Sequence, residues 1–194
     1  MKKVLIIPGL GEYDEYVEML TRCWRKYGLE PVIHQMHWSD GEHFALKLEK
    51  LVAVVDALSK DGSVISLVGL SAGASAALNL FLERDHAIDR VVSICGRIRK
   101  GDQTGYRSFE TRTKSSRAFA ESVMLFAKEE KSLSVEQRKR IMTVRPLFGD
   151  ALVPASTTHI DGARNVTIPT AGHIFSIGMS LSICSRPILQ FLNA

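Results

Sequence analysis

The chain has 194 residues, of which 45% are apolar and 24% charged, and a net charge of +4. This is the composition of an ordinary globular domain, and it excludes a disordered or collagen-like chain. An excess of four positive charges is too mild to point to nucleic acid, and no apolar run reaches the roughly 18–20 residues of a membrane span.

Residues 4–7 form a short apolar run ended by Pro8-Gly9-Leu10-Gly11, which reads as a buried strand entering a tight loop. Pro8-Gly9 stops the run after four residues and Glu12, Asp14 and Glu15 follow, so it is not the core of a secretory signal. Tyr16, Val17, Leu20, Trp24 and Tyr27 recur at helical spacing, and Gly28 closes that helix. Residues 31–36 are a second strand. Ser39-Asp40-Gly41-Glu42 has the form of a capping box ahead of Phe44, Leu48, Leu51, Val55 and Leu58, one apolar helix face. Residues 64–68 are a third strand, 72–82 a third helix and 90–95 a fourth strand. The long connection 97–140 has a polar first half, then Ala118, Phe119, Val123, Phe126 and Ala127 at helical spacing. A short helix follows from Ser134, where Ser134-Val135-Glu136-Gln137 is a second capping box. Residues 141–148 and 165–168 are the fifth and sixth strands. The last helix falls within 179–192, with Pro187 either kinking it or lying in its first turn.

Strands alternating with helices predict a parallel sheet covered by helices on both faces, in one domain spanning 1–194. Cys23, Cys95 and Cys184 are an odd number at wide spacing. They fit reduced thiols in a soluble cytoplasmic protein, not a disulfide framework or a zinc site.

Gly69-Leu70-Ser71-Ala72-Gly73 joins the third strand to an Ala-rich helix. This is a G-x-S-x-G nucleophile elbow in the strand–turn–helix context it needs. The sharp turn lifts the serine hydroxyl above the sheet, and glycines two before and two after avoid collisions there. The Ala72 N–H, at the helix N-terminus, is then placed for a developing oxyanion. A serine needs a base and an orienting acid. Among six histidines, His173 follows the sixth strand on a loop able to reach Ser71. His34 and His37 lie by the second strand without metal-ligand spacing, and His43, His86 and His159 read as solvated. Asp150, just past the fifth strand, is the candidate acid, with Asp161 in the turn Asp161-Gly162 as the alternative.

In the order Ser71, Asp150, His173, the chain resembles the α/β-hydrolase superfamily, whose triads run serine, acid, histidine. Residues 4–11 resemble the family's oxyanion-loop strand, 67–73 its elbow, 148–154 its acid loop and Gly172-His173 its histidine loop. Pro8-Gly9 stands where the family often has His-Gly. The resemblance implies a three-layer α/β fold lacking the family's first two edge strands, hence about six strands in the order 2-1-3-4-5-6. It places 97–140 at the family's insertion point, as a lid-like insertion. It assigns the second oxyanion N–H to Leu10 and implies neither a metal nor an organic cofactor. The implied activity is serine hydrolysis of a small carboxylic ester. Thioester or amide cleavage and acyl transfer use the same parts, and a non-catalytic binding module on the same fold is the alternative of another class.

Gly9-Leu10-Gly11 is not a dinucleotide loop. That fingerprint wants Gly or Ala where Asp14 stands, and a carboxylate there would face the pyrophosphate, whatever Glu30 supplies. Residues 97–140 carry 12 basic and 6 acidic side chains, an excess of +6 that exceeds the whole chain's +4. That excess reads either as solvated surface or as a basic cover that attracts anionic substrates.

Overall fold

The computed structural model describes residues 2–11 and 13–194. Six strands form a single parallel sheet: β1 (Lys2–Ile7), β2 (Leu29–Ile33), β3 (Ile65–Leu70), β4 (Ile88–Ile94), β5 (Ile141–Pro146) and β6 (Arg164–Ile168). Their order is β2-β1-β3-β4-β5-β6, as expected, and every neighbouring pair is parallel. Parallel pairing requires crossovers, and those before β5 carry helices that, with the two C-terminal helices, cover both faces.

The alternation of side chains along β1 divides the core. Leu5 and Ile7 join Leu67 and Val91 beneath α2 (Phe44–Leu58), α3 (Ala72–Glu83) and α5 (Arg117–Glu129). Val4 and Ile6 join Val68, Val92 and Val144 on the other face, with α1 (Asp14–Thr21), Trp24 and the C-terminal helices α7 (His173–Leu181) and α8 (Arg186–Leu192). All four of these β1 side chains are fully buried, which is why the strand reads as an unbroken apolar run.

Several boundaries differ from expectation. The first helix is α1 followed by a 3₁₀ stretch, Arg22–Tyr27, and Gly28 ends it in the left-handed conformation at φ +77°. The run Ser39-Asp40-Gly41-Glu42 does not cap α2. Asp40 accepts instead from the Glu42 N–H at 2.9 Å and from Lys47 Nζ at 2.8 Å, and α2 begins at Phe44, whose N–H is bound by Glu121 of α5 at 2.8 Å. The second capping box is present, opening α6 (Val135–Lys139) at Ser134. The expected last helix is two helices, α7 and α8, and Pro187 sits in the first turn of α8, where its missing N–H costs nothing.

The 97–140 segment divides. α5 is a member of the helical layer, not a cover over the sheet edge. Ala118, Phe119, Val123 and Phe126 are buried in the core, and Ser122 of α5 meets Ser75 of α3, Oγ to Oγ, at 2.6 Å. Asn79 of α3 donates to the Ser122 carbonyl at 2.8 Å. Only the earlier part, through α4 (Phe109–Thr113), reaches the edge of the sheet where Ser71 lies. No single helix among the described residues is long and apolar enough to cross a membrane.

Candidate active site

Ser71 ends the turn between β3 and α3 with φ +53° and ψ −114°, outside the regions open to most residues. Its surroundings hold it there. A Cβ on Gly73 would lie 2.0 Å from the Ile7 carbonyl oxygen, and one on Gly69 would lie 2.4 Å from the Gly73 carbonyl oxygen. Both positions therefore require glycine, as the elbow motif predicts. Gly9 brings the loop after β1 against the serine, because a Cβ there would stand 2.9 Å from the Ser71 Cβ. Ala72 is the first residue of α3, so its N–H has no acceptor within the helix.

The loops after β5 and β6 are laced together. Phe148 donates its N–H to the Thr170 carbonyl at 3.0 Å, and Gly172 donates to the Gly149 carbonyl at 2.9 Å. Gly149 and Gly172 both adopt positive φ, +95° and +77°, which lets the chain turn the two flanking side chains toward each other. Asp150 Oδ2 lies 2.7 Å from His173 Nδ1, and His173 Nε2 lies 2.7 Å from Ser71 Oγ. An ionised carboxylate only accepts, so Nδ1 carries the proton and Nε2 accepts from the serine hydroxyl. The other carboxylate oxygen of Asp150 accepts from the N–H groups of Leu152 at 2.8 Å and Val153 at 3.0 Å. Burial pushes the Asp150 carboxyl upward, but its hydrogen bond and electrostatic attraction to His173, with these N–H groups, outweigh it and hold the carboxyl below its ordinary value.

His173 is not on a loop before the last helix, as expected, but is the first residue of α7. The other candidates lie elsewhere. Asp161 is exposed and pairs with His159 at 3.0 Å. His43 pairs with Glu121 at 2.9 Å. His34 and His37 follow the order of the chain out of β2 and do not line the cavity beside Ser71, nor does His86. Cys95, Asp150 and His173 have donor atoms within 4.8 Å of one another. Asp150 and His173 already bond to each other there. Burial, with the Asp150 charge, pushes the Cys95 thiol far up.

A cavity of about 200 Å³ opens beside Ser71 and His173. Its walls include Leu10, Tyr13, Val17, Leu152 and Ile177, with Arg112 reaching in from α4. Ile174, Ile177 and Leu181 of α7 also line it, and their helical spacing after His173 was a signal in the sequence that this segment faces the site. Arg112 had no such signal, being one of many basic residues in a polar stretch.

No family model matches the sequence, nor does any curated protein. Solved structures do match. The chain is similar to olei00960, a hydrolase from Oleispira antarctica, with a TM-score of 0.71 and 11% identity over 100% of this chain and 92% of that one. It is similar to the ydeN gene product from B. subtilis, with a TM-score of 0.70 and 15% identity over the whole of both chains. It also resembles the Paleococcus ferrophilus monoacylglycerol lipase, with a TM-score of 0.65 and 13% identity over 98% of this chain and 93% of that one. With its strand order and its serine elbow, the chain has the α/β-hydrolase fold.

Proposed function

We propose that the protein is a serine hydrolase that cleaves a small carboxylic ester through an acyl-enzyme. Ser71 Oγ attacks the ester carbonyl carbon as its proton passes to His173 Nε2. The tetrahedral intermediate collapses, the C–O bond to the alcohol breaks, and His173 returns the proton to the departing alkoxide. Water, deprotonated by the same nitrogen, then attacks the acyl-serine and releases the acid and free Ser71. Asp150 keeps the imidazole in the tautomer that accepts from serine and stabilises the imidazolium. The N–H groups of Leu10 and Ala72 bind the oxyanion, and the N-terminus of α3 adds its partial positive charge.

The observation that carries this reading is the hydrogen-bonded chain from Asp150 through His173 to Ser71, 2.7 Å at each step, with the serine in a strained elbow. Proteins of similar fold, a hydrolase from Oleispira antarctica and a monoacylglycerol lipase from Paleococcus ferrophilus, agree with ester chemistry. The test is reaction with a fluorophosphonate probe. A covalent adduct on Ser71, abolished by Ser71→Ala and by prior denaturation, supports the reading. A folded protein whose Ser71 remains unmodified would support the non-catalytic binding module instead.

A further inference from the structure

Most of the basic side chains of residues 97–140 have local partners, although the net excess of positive charge remains. Arg99 binds Glu130, Lys100 binds Glu110, Arg117 binds Glu121, Lys139 binds Glu136 and Arg140 binds Asp85. Arg107 donates to the Asp150 carbonyl at 3.0 Å, Lys128 neighbours Glu129, and Arg138 donates to three carbonyls. Lys114 and Lys131 are exposed on the surface.

Arg112 is the exception. It is half-buried and lines the cavity shared by Ser71 and His173. Its guanidinium has no hydrogen bond or ion pair among the described residues and rests over the ring of Tyr106, 5.1 Å from the centroid. No carboxylate among the described residues lines that cavity. Nor is Arg112 carried on a loose strap. The fully buried Arg97 guanidinium donates to the carbonyls of Arg99, Lys100, Arg107 and Ser108, which bolts the stretch leading into α4 to the end of β4. Among the described residues the cavity thus holds a cation with no carboxylate beside it, fixed by its backbone, among walls that are otherwise mostly apolar. A partly desolvated guanidinium presents a planar fork of donors that matches a carboxylate. At about 200 Å³ the cavity is small enough that a group on Arg112 and a carbonyl at Ser71 belong to one small molecule.

We propose that the substrate carries a carboxylate held by Arg112, as in a half-ester of a small dicarboxylic acid. This rests on the serine-hydrolase reading and names its substrate class. The carboxylate lies away from the reacting carbon and is bound alike in ground and transition states, so Arg112 acts on KM more than on kcat.

The test compares monomethyl glutarate with its neutral isostere methyl 5-methylhexanoate by pH-stat, using Ser71→Ala as background. The readout is the ratio of the two kcat/KM values. In the wild type the ratio should favour the anionic ester by roughly 10- to 100-fold, the range of a charge-assisted hydrogen bond. Arg112→Gln should bring it near one, Arg112→Lys should retain part of it, and Lys128→Gln on α5 should leave it unchanged. A wild-type ratio near one, or a preference that survives Arg112→Gln, overturns the proposal while leaving the hydrolase reading standing. If neither ester shows Ser71-dependent turnover, fluorophosphonate labelling of Ser71 decides the hydrolase reading, and calorimetry decides the anion site separately. Glutarate binding to Ser71→Ala that is lost in Ser71→Ala/Arg112→Gln supports it. Absence of binding, or binding indifferent to Arg112, overturns it.

Discussion

At the scale of single residues, the three groups around the hydroxyl of Ser71 have different expected signatures. Ser71→Ala should lower ester turnover by about three to six orders of magnitude. Its melting temperature should stay near that of the wild type. Asp150→Asn should cost about 10⁴ in turnover by favouring the wrong imidazole tautomer, whereas Asp161→Asn, on an exposed side chain paired only with His159, should change steady-state rates little. A neutral His173 is needed to accept the serine proton, so kcat/KM should rise with pH along one limb. Asp150 contributes nothing to that limb, because its carboxyl is already held below the ordinary value. The same depression gives a stability term of known sign. A carboxyl bound more tightly as the anion when folded stabilises the fold above its unfolded pKa, and that contribution is lost as pH falls through the lower folded value. Urea midpoints taken across the acid range should therefore fall less steeply for Asp150→Asn than for the wild type. All three side chains were legible in the sequence for one reason: each lies within about five residues of the C-terminal end of a strand, where a parallel sheet presents its loops. Arg112 was not legible, because its place depends on Arg97 gathering four carbonyls, which no spacing pattern encodes.

At the scale of elements, local signals succeeded where neighbours in sequence make the contact and failed where neighbours in space do. The capping box at Ser134 formed because its partners are three residues apart. The one at Ser39 did not, because Lys47 claims Asp40 and Glu121 reaches from α5 to the start of α2. Glu121→Ala should accordingly destabilise the protein by about 1 kcal/mol, the usual worth of a helix cap, although it lies some 77 residues from the helix it serves. Denaturant unfolding would measure this, and an effect near zero would mean that solvent replaces the cap. Gly73→Ala is the severe case. Its methyl would meet the Ile7 backbone at 2.0 Å, so the strand and helix must separate, and the variant should be recovered mostly insoluble or unfolded. The role of α5 was hidden for a similar reason. Its apolar spacing showed a buried face, but a buried face does not say whether it covers a ligand or a neighbouring helix.

At the scale of the molecule, the alternation of strands and helices predicted a parallel sheet covered by helices, and the resemblance to the α/β-hydrolases supplied the order of its strands. What it left open was how firmly each part is held. β6 is an edge strand on which Ile168 alone is buried, while Arg164, Asn165 and Thr167 face solvent. It nevertheless leads directly to His173 through the loop tied to Gly149. The histidine is therefore moored to the least protected margin of the sheet, and Ser71 to its most protected interior strand, all of whose residues are buried. Segments with few buried contacts open at a lower free energy than the whole. Heat or urea should thus disarm the site before the molecule melts. Loss of fluorophosphonate labelling should precede loss of far-UV circular dichroism. Amide hydrogens of β6 and the start of α7 should exchange faster than those of β3. Coincident transitions would mean that the margin and the interior are one cooperative unit.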